Sequence, residues 1–260
     1  MEDDDSMFRF AYPKEFLHWA LTPPGFQRCW HVVVRVKATG AFMAFISGVP
    51  LKMQVSKKTI QMVEINFLCV HKQLRDKRLA PLLIKEVTRR VNLLNIWQAV
   101  YTAGVKIPKP IAAARYYHRS LNPPKLISIG FSRIPKKFES FQNPMKMVEK
   151  YYKLPEKPQI PGFREMKKED SVHLYEQLTK YLSQFTVSPV FEKAEFTHWM
   201  GPVKGVVYSY VVEDPETKKI VAFGSFYSLP STIIGNDKYK MLNAAYLYYY
   251  FTASPKVSQV

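Results

Sequence analysis

Hydrophobic positions along the chain fall into two rhythms, one of period two and one of about 3.6. Residues 30–36, WHVVVRV, are dense in β-branched side chains. Residues 41–50, AFMAFISGVP, carry the same character beyond a turn at 37–40, and the pair predicts a β-hairpin. A third apolar run, MVEINFLCV at 62–70, lacks helical period and predicts a buried strand. Beyond it Leu83, Val87, Val91 and Leu94 recur at spacings of four, four and three behind Pro81, which predicts an amphipathic helix over 81–97. Upstream, Pro13 opens a short helix ending at Leu21, and residues 1–10 read as an acidic loop. Downstream, 98–104 predicts a strand, 111–121 (IAAARYYHRSL) a helix, and 125–134 a strand with apolar alternation at Ile127, Ile129 and Phe131.

Pro155, Pro158 and Pro161 punctuate residues 153–162, the pattern of a linker, since each proline fixes φ and removes a donor. Residues 163–185 predict a short strand, Asp170 as an N-cap, and a helix with Leu174, Leu178 and Leu182 on one face. Then EFTHWM at 195–200 echoes EFLHWA at 15–20, an offset of 195 − 15 = 180. A second hairpin follows, VVYSYVVE at 206–213 and IVAFGSFYSLP at 220–230, and then a third strand, NAAYLYYYFTASP at 243–255. The chain therefore contains helix, hairpin and strand twice, an internal duplication. The expected organisation is a first half at 1–152, a linker at 153–162, and a partial second half at 163–260 that leaves strand edge and apolar surface uncovered.

With 260 residues, 47% of them apolar, the chain can bury a sizeable core. Its 38 Lys and Arg against 21 Asp and Glu give +17, which favours an acidic partner: nucleic acid, an anionic membrane or a polyphosphate. The cations are spread along the chain and the aromatics sit in predicted strands, so no nucleic-acid motif stands out. Cys29 and Cys69 are too few for a disulfide framework. MEDDDSMF has no apolar signal core, and no apolar run approaches the roughly 20 residues of a membrane span. A cytoplasmic protein is expected.

Chemistry concentrates between the strand at 62–70 and the helix after it, where His71, Lys72, Arg75, Lys77 and Arg78 crowd a helix N-terminus. Backbone N–H groups, the positive end of the helix dipole and basic side chains converge there. A diphosphate suits that spot; the same pattern also describes a solvated basic loop. The spacing of Arg75, Lys77, Arg78 and Ala80 resembles the pyrophosphate loop of GNAT acyltransferases, with Arg78 where many members have glycine. Cys69 and His71 could be drawn as nucleophile and base, but a cysteine inside a strand is better read as structural.

The motifs EDDDSMFRF (2–10), EINFLCVHKQLRDKRLAP (64–81), QAVYTAG (98–104), YYHRSLNPPKLI (116–127) and FYSLPSTI (226–233) resemble the glycylpeptide N-tetradecanoyltransferase, or N-myristoyltransferase, family over essentially the whole chain. The resemblance implies an α/β fold of two GNAT-like halves in tandem, related by a pseudo-twofold, with the second copy incomplete here. It implies transfer of a myristoyl group from myristoyl-CoA, a co-substrate, to the N-terminal glycine of proteins, with no metal and no tightly bound cofactor. By the same resemblance the backbone N–H groups of Phe67 and Leu68 form an oxyanion hole. Asn66 and Thr102 then receive the glycine amine, and Leu68, Cys69, Val70, Arg75, Lys77, Arg78, Leu79 and Ala80 hold CoA. Asp3, Asp5, Phe8, Phe10, Tyr116, His118 and Ser231 line the peptide groove.

Implied partners are myristoyl-CoA, glycine-initiated peptides and proteins, and a transient ribosome or membrane surface, without nucleic acid. Asp76, Tyr117 and Tyr250 depart from the family's usual Ser, Trp and Asn, and its N-terminal aromatic segment and terminal carboxylate base are expected to be missing. Two readings stand: an N-myristoyltransferase, or an inactive truncated relative that at most binds acyl-CoA or a partner protein.

Overall fold

The computed structural model describes residues 7–104 and 107–253. After β1 (Phe8–Phe10) and α1 (Lys14–Leu21), the first hairpin forms from β2 (His31–Arg35) and β3 (Phe42–Val55), and β4 (Lys58–Val70) adds antiparallel to β3. β3 and β4 run longer than periodicity predicts, meeting in a second tight turn where Ser56 takes φ +56°. A 3-10 turn at Lys72–Lys77 leads into α2 (Leu79–Asn92), and β5 (Ala99–Val100) returns parallel to β4. α2 buries Leu83, Val87 and Val91 against Trp30, Val32, Ala44, Ile46 and Val63, as its apolar stripe predicts. Leu94 lies past the helix and is exposed.

Two predicted elements are overturned. Residues 111–121 form no helix. An isolated helix of that length is marginal without a face to bury, and here the side chains find separate partners. Tyr116 packs on Tyr246, His118 packs edge-on to Phe131, and Arg119 donates to the Tyr152 carbonyl. Nor is 125–134 a strand. Asn122 accepts the Lys125 N–H at 3.2 Å and caps α3 (Pro123–Ser128), with prolines in its first turn, where a missing N–H is harmless. Gly130, at φ +75°, follows the helix end. Next come α4 (Lys136–Glu139) and α5 (Pro144–Tyr152), the latter capped by Asn143 in the same way.

Beyond residues 153–162, which hold neither helix nor strand, come β6 (Phe163–Glu165), α6 (Ser171–Leu182), β7 (Val187–Pro189), α7 (Lys193–Met200), β8 (Val207–Glu213) and β9 (Ile220–Ser228). The described chain closes with β10 (Ser231–Ile233), β11 (Met241–Leu242) and β12 (Ala245–Thr252). The second sheet is ordered β12-β9-β8-β6, and a small third sheet, β1-β10-β11, turns the predicted loop at Phe8 and Phe10 into a strand. β7 crosses to the first sheet, pairing Met53 with Pro189. α6 buries Leu174, Leu178 and Leu182, yet Asp170 does not cap it by side chain. The carboxylate instead accepts the Lys167 N–H at 2.7 Å and two bonds from Arg164, whose guanidinium also reaches Glu213 and holds Asp170 below the usual carboxylate range.

The two EFxHW motifs meet each other. Trp19 Nε1 donates to the His198 carbonyl at 3.0 Å and His198 Nε2 donates to the Trp19 carbonyl at 2.7 Å. Around this reciprocal pair Phe16, Trp19, Val206 and Val207 form a core between the halves, with Tyr12, Phe67, Trp199, Tyr227 and Tyr248 packed on it. The second sheet carries an open apolar groove of about 640 Å³ lined by Ile160, Phe163, Tyr210, Phe226 and Leu247. Among the described residues no helix is long and apolar enough to cross a membrane.

Burial lowers the His198 pKa, opposed in part by its bond to the Trp19 carbonyl. The fold thus holds a neutral imidazole, while the unfolded chain titrates at the ordinary 6.5. Stability is therefore complete above that value and falls as pH drops below it. Burial acts on His31 in the same direction. Urea denaturation should give a lower midpoint at about pH 5.5 than at about pH 8, and His198→Gln should shrink the difference.

Candidate active site at the sheet bulge

Register breaks where β3 meets β4. Phe45 faces Cys69 and Ser47 faces Asn66, so Ile46 alone lies opposite Phe67 and Leu68. Phe67 takes φ +57°, a left-handed conformation that a bulky side chain holds at about 1–3 kcal/mol. The bulge reverses side-chain parity. Ile65 and Leu68, three apart, both pack on the α2 core, while Phe67 turns to the core between the halves, edge-on to Tyr12 at 5.3 Å. On its other side β4 pairs with β5 only at Val63 and Glu64. Phe67 and Leu68 thus have no register partner in either neighbouring strand.

Four residues past the bulge the chain enters the basic turn. The His71 ring accepts the Gln73 N–H at 3.4 Å, so it caps the 3-10 turn instead of activating Cys69, which is exposed. Val70 pairs with Ala44 at the end of the ladder. Arg75 and Lys77 project exposed from the turn, and Arg78 joins it to α2 at φ +54°, ψ +31°. That left-handed φ is the physical reason for a glycine at this point of the loop. No side chain caps α2 and no acidic residue sits in its first turn, so the N–H groups of Leu79 and Ala80 head a positive helix end beside three cations.

Asn66 is held from two sides. Ser47 Oγ donates to its carbonyl at 2.9 Å, and its own Nδ2 donates to Glu64 Oε1 at 3.0 Å. Burial raises the Glu64 pKa and the Asn66 bond opposes the rise. Val100 lies opposite Glu64, so continuing that parallel register would bring Thr102, which is exposed, level with Asn66. Phe8 pairs with Ile233, and Phe10 with the buried Ser231. Aromatic contacts lead from Phe10 and Tyr116 toward the bulge, while Phe8 and His118 form a separate cluster. Phe10 stacks on Tyr12, which meets Phe67; His118 and Phe8 share Phe131; Tyr116 leads through Tyr246 to Tyr227. Burial and a hydrogen bond with Tyr116 push the Tyr246 phenol up to about 12. Asp3 and Asp5 lie outside the described residues.

The family description "Myristoyl-CoA:protein N-myristoyltransferase, N-terminal domain" matches residues 1–114, and the corresponding C-terminal domain matches residues 128–260. The chain belongs to the N-myristoyltransferase family. It is 54% identical over 249 residues to glycylpeptide N-tetradecanoyltransferase 1 of Arabidopsis thaliana, covering 96% of this chain and 56% of that relative. A probable glycylpeptide N-tetradecanoyltransferase of Caenorhabditis elegans is 50% identical, covering 100% of this chain and 57% of its own length. The Saccharomyces cerevisiae N-myristoyltransferase structure with bound myristoyl-CoA aligns with TM-score 0.90 at 47% identity, over 97% of this chain and 60% of that one. The chain thus spans 56–60% of the lengths of these relatives.

This chain of the N-myristoyltransferase family carries a second bulge. In the second sheet Ser225 lies opposite Tyr248 and Tyr249. There Ser225 Oγ donates to the Tyr249 carbonyl at 2.8 Å and accepts the Tyr249 N–H at 3.1 Å, so one bulge amide is satisfied from across the ladder. In the first sheet the facing residue is Ile46, which has no hydroxyl to offer. Sequence reasoning missed Glu64, Tyr12, Tyr227, Tyr246 and Tyr248. Tyr246 and Tyr248 had a signal in the duplication, since aligning the third strands of the two copies sets the tyrosines of 246–250 against the strand around residues 64–69; Glu64, Tyr12 and Tyr227 had none there.

Arg78→Gly should raise the unfolding free energy by up to about 1 kcal/mol, while Arg78→Ala, keeping a Cβ at positive φ, should bring no such gain. Urea denaturation of the two variants checks it.

Proposed function

We propose that the chain carries the catalytic centre that moves a myristoyl group from myristoyl-CoA to the N-terminal glycine of a protein. Residues 1–152 act as the acyl-CoA half and residues 163–260 as the peptide side, joined by the linker at 153–162. The observation that carries this reading is the bulge that takes Phe67 and Leu68 out of register, with a basic turn and an uncapped helix end just downstream. The two bulge amides hold the oxyanion that develops on the thioester carbonyl, and Arg75, Lys77, Arg78 and the α2 N-terminus hold CoA phosphates. The peptide lies along Phe8, Phe10, Tyr116, His118 and Ser231.

The glycine nitrogen attacks the thioester carbon, the C–N bond forms, and the C–S bond breaks. The proton lost by the amine balances the one gained by the departing CoA thiolate. A free α-amine has a pKa near 8, so it must give up a proton before attack. A cytoplasmic setting, with transient contact to an anionic ribosome or membrane surface, fits the +17 charge.

Purified chain should transfer myristate to a glycine-initiated peptide and not to its Gly→Ala counterpart. Leu68→Pro, which deletes one amide donor, should lower kcat by about 10²–10³-fold. Lys77→Ala with Arg78→Ala should weaken CoA binding about tenfold or more. Equal turnover of both peptides, or no affinity for CoA, overturns the reading. Because the chain spans 56–60% of its relatives' lengths, a second outcome is defined: CoA and peptide binding without turnover marks a binding form of the same site.

A further inference from the structure

Val63 and Ile65 of β4 face the α2 core, which turns Glu64 and Asn66 the other way. Glu64 is fixed from both sides by the ladder, opposite Val49 on β3 and Val100 on β5, and β5 leaves the sheet immediately after. Asn66 lies just beyond, where one flank of β4 is open, and its Nδ2 donates to Glu64 Oε1 at 3.0 Å.

A carboxylate only accepts hydrogen bonds, so it admits one orientation of the neighbouring amide: NH₂ toward Glu64, Oδ1 away. An incoming ammonium or amine offers N–H donors and needs that oxygen. The reversed amide would present N–H to N–H. We infer that Glu64 is a positioning residue that locks the Asn66 side chain with its Oδ1 turned outward to take the substrate's N-terminal amine, and that its own negative charge attracts that amine. The inference rests on the transfer reaction proposed above and on the role in receiving the glycine amine that the family resemblance implies for Asn66.

The surroundings of Glu64 fit this role. From the second sheet Tyr227, Tyr248 and Tyr249 lie within electrostatic reach of it, and burial first, with neighbouring charge that includes Glu64, keeps their phenols protonated. Among the described residues no lysine or arginine pairs with Glu64, so a half-buried anion stands without a cation beside it. Burial raises its pKa above the ordinary 4.5. Once protonated, the carboxyl gains a donor and tolerates either amide orientation, so the lock opens on acidification.

Two measurements on the intact chain test this without requiring turnover. The Asn66 side-chain NH₂ signals in NMR should titrate in the unchanged protein with a midpoint above 4.5, and Glu64→Gln should abolish that titration. By calorimetry the chain should bind a glycine-initiated peptide more tightly than its N-acetylated form. Glu64→Leu should reduce that preference tenfold or more, and Glu64→Gln, which keeps an acceptor, should retain part of it. Asn66 signals that ignore pH, a full preference in Glu64→Leu, or no preference in the unchanged chain each overturn the inference. Where Glu64→Leu fails to fold, the Glu64→Gln titration decides alone. Failure of myristoyl transfer with the titration and preference intact tells against the proposed function and leaves the role of Glu64 standing.

Discussion

The geometry at β4 depends on one residue held where bulky side chains rarely go. Phe67 sits at positive φ because the bulge demands it, and it stays because its ring is packed edge-on to Tyr12 in a core built from both halves. A strain of about 1–3 kcal/mol is small against an aromatic cluster of that size, since each large buried side chain contributes a comparable amount. The bulge amides are therefore aimed by contacts that include α1, β8 and β9, far away in sequence. A substitution at Tyr12 or Tyr227 would act on the backbone at Phe67 without touching it directly.

The reciprocal bonds between Trp19 and His198 bring the two copies of the helix motif into contact. Each copy supplies the acceptor for the other's side chain, so the echo in the sequence is a physical contact across the pseudo-twofold. The halves are further interlocked, since β7 leaves the second half to pair with the tail of β3, and Lys52 on β3 bonds Glu192 at 2.8 Å. The symmetry is used unevenly. One bulge is closed by the Ser225 hydroxyl, while the other faces Ile46.

Hydrophobic rhythm made the hairpins, the α2 stripe and the α6 stripe legible, because each of those elements buries one face against a single partner. It failed at 111–121 and 125–134. There no continuous face is buried, and the local signals that decide the outcome are an Asn-Pro-Pro cap and the individual aromatic contacts of Tyr116 and His118. The basic turn was visible as charge. The left-handed φ at Arg78 was hinted at only by the glycine that the resembling loop carries. Glu64 went unnoticed because a lone carboxylate in an apolar strand has no periodic signature; its meaning comes from the Asn66 amide two residues on.

The stacked rings on the second sheet have a bearing on how the molecule behaves in bulk. Phe163, Tyr210, Phe226 and Tyr208 lie ring against ring at 5.1 to 6.1 Å along one open face, with Leu247 beside them on the edge strand. A net +17 keeps neighbouring copies apart in dilute buffer, but that repulsion reaches only about 10 Å at 0.1 M salt and about 3 Å at 1 M. Added electrolyte therefore strips away the electrostatic cushion while leaving the greasy stripe intact. Colloidal stability of this chain is set by a contest between a long-range term that salt erases and a short-range one that it does not.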